Sequence, residues 1–251
     1  MSATTHKPRR EAPVLLKVDD LHVAYGKAEV VHGVSFEVRE GEFAVMLGRN
    51  GAGKSTSLHA ICGLIPKRSG RVSFGGQDIS STDPRSIVNS GIVNVLEGHR
   101  IFTTLTIEDN LLLGTYAKNS RGDRSKLDRI YSIFPEMAER RHQLASRLSG
   151  GQQQILAVAQ GMIGEPRLLI LDEPSAGLAP LVIDRILQIA ADLARGGTAI
   201  LLVEQLVEKA LRHADYAFLM ANGKIAASAT PEELHSSDLI QRILVGSHEA
   251  N

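Results

Sequence analysis

The chain contains a single cysteine, Cys62. One thiol rules out a disulfide framework and suits a reducing compartment. Set among apolar neighbours, Cys62 reads as a small core residue. Charge of one sign is also missing: Lys plus Arg and Asp plus Glu both total 28. No global field therefore draws the chain toward nucleic acid or an acidic membrane. Long apolar runs are lacking, and none approaches the ~20 residues that a membrane span requires. No apolar segment follows Lys7, Arg9 and Arg10, so residues 1–13 read as a short disordered tail and not as a signal peptide. Repeats and low-complexity tracts are absent. What remains is 251 residues with 43% apolar content, enough for one large domain, or for a domain carrying an inserted subdomain.

Gly48-Arg49-Asn50-Gly51-Ala52-Gly53-Lys54-Ser55-Thr56 organises the rest. It fits a Gly, four free positions, then Gly-Lys-Ser/Thr. The apolar run Phe43–Leu47 before it reads as a buried strand, and Leu58 to Leu64 after it can continue as a helix. Its glycines let the loop curl so that successive backbone N–H groups point inward as a cradle for phosphate. The following helix turns its positive end to the same anion. Lys54 is then expected to reach the β- and γ-phosphates, and the Ser55 hydroxyl to ligate Mg²⁺.

Upstream, Val14 to Val18, Leu21 to Tyr25 and Val34 to Val38 carry strand patterning. Tyr25, just before the Gly26-Lys27 turn, is equally a half-buried strand aromatic or a stacking platform for a base. Gly70 and Gly75-Gly76 bracket a strand that forms a hairpin with Gln77–Ile79. Asp83-Pro84 opens a helix, Ile92–Val95 is a strand ending at Glu97-Gly98, and Thr106 caps another helix. From there to Gln160 the patterning is helical, an insertion over roughly residues 98–160 in an α/β core. Leu148-Ser149-Gly150-Gly151-Gln152 precedes a helix expected from about Gln153 to Ile163.

Leu168–Leu171 is apolar throughout, as in the middle of a parallel sheet, and ends in Asp172-Glu173. These acids could simply cap the next segment of chain. Beside a phosphate loop, however, ligands gather at the carboxyl ends of strands. There Asp172 can hold Mg²⁺ through water and Glu173 can take a proton from water attacking the γ-phosphorus. Thr198 to Val203 is a further buried strand ending at Glu204-Gln205. A hairpin turned at Asn222-Gly223 comes next, then a capping box at Thr230–Glu233 and a closing helix to about Val245.

In that order, the phosphate loop, Leu148–Gln152 and Leu168–Glu173 resemble the ATP-binding subunits of ABC transporters over about Val14 to Val245. The resemblance implies an α/β fold: a P-loop NTPase with a RecA-like, mainly parallel core, an antiparallel β subdomain and an inserted helical subdomain. Residues 14–251 would form this one nucleotide-binding domain. It implies an ATPase that uses ATP and Mg²⁺, is cytoplasmic and lies on the inner face of the membrane. Its partners would be a second ATP-binding subunit, two membrane-spanning permease subunits and an extracytoplasmic substrate-binding protein, with no nucleic acid. In such subunits the sequence Leu148, Ser149, Gly150, Gly151 and Gln152 serves the partner's ATP, Tyr25 stacks on adenine, and Ser175–Pro180 crosses between the two domains.

Two positions depart from the commonest family pattern. Glu97 stands where a Mg²⁺-touching Gln is usual, joining Ser55 and Asp172 as a metal residue. Gln205 stands where a His contacts the γ-phosphate, joining Glu173 and Lys54 as a catalytic residue. Both departures, with Leu96–Phe102 and Pro174–Pro180, are similar to subunits of branched-chain amino-acid importers. Importers of urea and short amides share these marks. Gln160-Gly161-Met162 also departs from an Arg-Ala-Leu-like run. A soluble ABC-type ATPase working on ribosomes or DNA would need a second such domain or a long coiled coil, and an ATP-holding module without turnover would not need Glu173.

Overall fold

The computed structural model describes residues 11–96, 98, 101–116 and 123–246. Val14–Tyr25 (β1) and Ala28–Arg39 (β2) pair antiparallel, with Tyr25 opposite Ala28 at the turn. The two strand runs expected in β1 are one strand. It is bent by a register shift between Val18 and Leu21, where Asp20 takes a φ of 48°, and such a bulge adds a residue without ending the strand. Ala12 and Pro13 belong to this sheet's border: their carbonyls accept from Arg39 Nη1 and the Glu40 N–H. Residues 1–10 of the expected tail lie outside the described residues.

The chain then enters Phe43–Leu47 (β3) and returns to the first sheet with Ser69–Phe74 (β4) and Gln77–Asp78 (β5), giving the order β2-β1-β4-β5. Ile92–Val95 (β6), Leu168–Asp172 (β7), Ala199–Glu204 (β8), Tyr216–Ala221 (β9) and Lys224–Ala229 (β10) complete a second sheet around β3. Its order is β10-β9-β3-β8-β7-β6. Every neighbouring pair is parallel except β9 with β10.

Each central strand is buried on both faces, which is why β3, β7 and the first five residues of β8 carry no polar side chain before their carboxyl ends. Alternate residues serve two separate cores. Phe43, Val45 and Leu47 face one with Leu169, Leu171, Ile200 and Leu202. Ala44 and Met46 face the other, with Leu16, Val18 and Leu58. The first core is closed by Gly150–Ile163 (α6 below) and Pro180–Arg195 (α7 below), the second by the antiparallel sheet and Lys54–Ile61 (α1).

Besides α1, the helices are Pro84–Ser90 (α2), Ile107–Leu113 (α3), Leu127–Ile133 (α4), Pro135–Glu139 (α5), α6, α7, Val207–Leu211 (α8) and Pro231–His235 (α9). Helices α3 to α6 make up the region between β6 and β7. Apart from the isolated bridge Thr106–Leu144, its described residues carry no β pairing.

Three helix expectations are corrected. Helix α1 stops at Ile61, short of Leu64, because Gly63 adopts a φ of 69° and closes the end. Helix α6 starts at Gly150, not near Gln153, because Ser149 and Gln152 form a reciprocal capping box. The closing helix does not run unbroken from Thr230 to Val245. It ends at His235, where the Ser236 and Ser237 hydroxyls donate back to Glu233 O and Leu234 O at 3.0 and 3.2 Å. Side-chain bonds of this kind compete with the helical ladder. A separate turn of π-helix lies beyond it at Gln241–Gly246.

Candidate functional site

The carboxyl ends of β3, β7 and β8 lie side by side, and the sequence-predicted groups converge there. Leu47 pairs with Glu204, and Asp172 with Val203. The loop leaving β3 is tightly seated. A Cβ on Gly48 would stand 2.5 Å from the Met220 carbonyl, and one on Gly53 would stand 2.9 Å from Met220 Cε. Gly53 also holds a φ of 102° as it caps α1. Only glycine combines that approach with that backbone.

Lys54 is buried, and its ammonium donates to the Gly48 and Arg49 carbonyls at 3.0 and 3.1 Å. It also lies 3.0 Å from Glu173 Oε1. Gln205 Nε2 donates to the other oxygen of the same carboxylate, at 2.7 Å. Ser55 Oγ donates to Asp172 Oδ1 at 2.9 Å. One lysine, two carboxylates, a hydroxyl and an amide thus form a single polar cluster at the mouth of the loop. Arg49, Asn50 and Gly51 are exposed on the loop's crest, Ala52 is buried beneath it, and Thr56 is half-buried.

Glu173 owes its aim to its backbone. It has a φ of 44°, in the left-handed region that non-glycine residues avoid at a cost of roughly 1–2 kcal/mol. Its N–H donates to Val203 O and its carbonyl accepts from the Ala176 N–H. These bonds fix a reverse turn that the bare sequence does not announce.

Glu204 reads in the sequence as no more than a strand end, yet it braces the same turn. It is buried and accepts from Ser175 N at 3.1 Å, Ser175 Oγ at 2.8 Å and Gln205 N at 3.1 Å. The signal that marks Asp172, an acid closing an apolar strand, is present at Glu204 as well. His59, one helical turn beyond Ser55, carries no such signal in the sequence; its Nε2 is 3.8 Å from Asp172 Oδ2.

Other predicted residues lie apart. Tyr25 is 53% exposed at the tip of the β1–β2 hairpin. Leu148 is buried, while Ser149 and Gly150 are exposed where α6 begins. Among the described hydrogen bonds none joins Leu148–Gln152 to the phosphate loop of the same chain. Glu97 lies outside the described residues. Gly161 has a close approach as its reason: a Cβ there would stand 2.9 Å from Val95 Cγ2. Cys62 is buried as expected, and that burial pushes its thiol up to about 12, which leaves it inert.

Ser55 and Asp172 present hard oxygen donors 2.9 Å apart, a set suited to Mg²⁺, which takes one or two protein oxygens and completes its shell with phosphate and water. The residues present therefore fit that ion.

This strand–loop–helix with acids at neighbouring strand ends defines a P-loop ATPase. The family model described as ABC transporter matches residues 31–176, and the chain belongs to that family, whose transporter subunits hydrolyse ATP. It is 37% identical over 232 residues to the high-affinity branched-chain amino acid transport ATP-binding protein BraG of Pseudomonas aeruginosa, covering 92% of this chain and 100% of that one. It is 32% identical to the probable branched-chain amino acid transport ATP-binding protein LivF of Archaeoglobus fulgidus, covering 92% and 99%. It is 29% identical to the lipopolysaccharide export system ATP-binding protein LptB of Haemophilus influenzae, covering 92% and 97%. The fold matches the ADP conformation of MJ1267, an ATP-binding cassette of an ABC transporter, with a TM-score of 0.82 at 24% identity, covering 94% and 100%. Among the described residues no helix is long and apolar enough to cross a membrane.

Proposed function

We propose that this chain powers a membrane importer of branched-chain amino acids by hydrolysing MgATP at the cluster of Lys54, Ser55, Asp172, Glu173 and Gln205. The observation that carries the reading is Glu173, held at 3.0 Å by Lys54 and at 2.7 Å by Gln205. An incoming triphosphate competes for the Lys54 ammonium with Glu173 and the loop carbonyls. Lys54 moves to the phosphates, and Glu173 is left on Gln205 with one oxygen open to water. Glu173 takes the proton as the water oxygen bonds to the γ-phosphorus and the bond to the ADP oxygen breaks. Gln205 orients the carboxylate throughout. Ser55, Asp172 and Glu97 would hold Mg²⁺, which when bound neutralises phosphate charge. Residues 48–56 cradle the phosphates and the Tyr25 ring receives adenine.

Ser149 and Gly150 are exposed, and among the described hydrogen bonds none links them to the phosphate loop of their own chain, which supports a head-to-tail pair. Ser149, Gly150 and Gly151 would then donate to the γ-phosphate held by a second ATP-binding subunit. Residues 14–251 act as one nucleotide-binding domain. Two permease subunits would dock over the cavity of about 290 Å³ between β6, α3 and α6. Docking there would place the chain on the inner face of the membrane, with a substrate-binding protein on the far side.

BraG and LivF favour branched-chain amino acids as cargo, and LptB supports lipopolysaccharide export as the second reading. Reconstitution with its permeases and binding protein in vesicles separates them. Leucine, isoleucine or valine should stimulate ATP hydrolysis and enter the lumen. Stimulation by urea or short amides alone, or by lipopolysaccharide, would overturn the cargo.

A further inference from the structure

The Asn222-Gly223 turn between β9 and β10 is more than a hairpin connection. β9 is the parallel neighbour of β3, with Leu47 opposite Leu219, so the phosphate loop and this turn leave adjacent strands together. Gly223 is buried between them. Its N–H donates to the Ala52 carbonyl at 2.9 Å, and its own carbonyl accepts from the His32 N–H of β2 at 2.8 Å. One residue therefore ties the phosphate loop to the antiparallel sheet.

The bond to Ala52 has a directional consequence. Ala52 C=O and Gly53 N–H belong to one planar trans peptide, so they point opposite ways. Holding the carbonyl on Gly223 aims the Gly53 N–H to the other side of the loop. We infer that Gly223 is a positioning residue for nucleotide binding, orienting the Ala52–Gly53 peptide so that the Gly53 N–H meets a phosphate oxygen. The role requires glycine: Gly223 has a φ of 73°, and a Cβ would stand 2.3 Å from Val30 O and 2.5 Å from His32 Cδ2. A side chain at this position pushes the turn off β2 and releases the loop peptide. The inference rests on ATP occupying this loop.

The test compares Gly223→Ala with Gly76→Ala in the full-length chain. Gly76 has a φ of 80° and no atom within 4 Å of an added Cβ, so it suffers similar backbone strain far from the loop. Gly223→Ala should raise KM for MgATP and weaken its binding by about tenfold, as loss of one charge-assisted hydrogen bond does, with kcat little changed. Gly76→Ala should lower thermal stability alone. A folded Gly223→Ala with the KM of Gly76→Ala overturns the inference. Should Gly223→Ala not fold, hydrogen exchange on the unaltered protein decides. MgATP should slow exchange in residues 217–224 together with residues 45–56. Slowing of the loop without the turn sinks the positioning role, whereas slowing of neither shows that ATP does not occupy the loop and takes both readings with it.

Discussion

Gln205 Nε2 donates to Glu173 Oε2 at 2.7 Å, joining the ends of two neighbouring strands across 32 positions of chain. A neutral amide in this place orients the carboxylate without adding charge. Replacing Gln205 by Ala should lower kcat by roughly tenfold and leave KM near its original value, because the lost bond acts on the attacking step. Gln205→His should restore turnover and add a further titration near pH ~6.5 to the profile. Profiles of kcat against pH at saturating ATP check both, and superimposable profiles for Gln and His would count against an orienting role.

Glu173→Gln keeps the shape of the side chain and removes its capacity to take a proton. Turnover should fall by about 10²–10⁴-fold while MgATP still binds. Loss of the carboxylate also frees Lys54 from its 3.0 Å partner, so ATP should bind at least as tightly as before. Single-turnover hydrolysis and equilibrium titration measure the two effects separately. Weaker ATP binding in the variant would contradict the exchange of Lys54 between carboxylate and phosphate.

Ser149 is asked to do two things, and they are separable. Its hydroxyl accepts from the Gln152 N–H to cap α6, and on the proposed pairing it also donates to the partner's phosphate. Ser149→Ala should cost about 1 kcal/mol of stability and reduce ATPase activity. Ser149→Asp keeps a capping oxygen at the positive helix end but sets a carboxylate against the phosphate. Its melting temperature should recover while its activity stays low. Activity that tracks stability in both variants would confine Ser149 to capping.

On the β1–β2 sheet, His22 Nδ1 lies 2.7 Å from Glu29 Oε1, and Asp20 adds a second contact at 3.2 Å. The hydrogen bond to Glu29 raises His22 above its ordinary 6.5, and the same bond lowers Glu29 below its ordinary 4.5. The His22 contribution is complete below pH 6.5 and fades as pH rises through the elevated folded value. The Glu29 contribution is complete above pH 4.5 and fades as pH falls through the depressed one. Glu29→Gln should therefore lose most stability, relative to the unaltered protein, between pH 4.5 and 6.5. Thermal melts at pH values spanning that window and either side of it test this. A stability difference independent of pH would show that the pair is not charged in the fold.

Much of the fold is written locally. The loop Gly48–Thr56 is legible from its own glycines and the flanking apolar strand, and the caps at Asp83, Thr106 and Thr230 act within one turn. Asp172 and Glu173 are legible because an apolar strand ending in acids has few other uses beside a phosphate loop. Period and composition therefore determine the strands, most helix starts and the groups able to touch phosphate.

Tertiary packing decided the rest. The left-handed turn at Glu173, the bracing of Ser175 by Glu204 and the grip of Gly223 on Ala52 join residues remote in sequence. Their geometry depends on which strands become neighbours in the sheet. A one-dimensional pattern records which side chains are apolar or charged at each step; it carries no term for the distance between two strand ends, and that distance sets whether a carboxylate, a lysine and an amide act together.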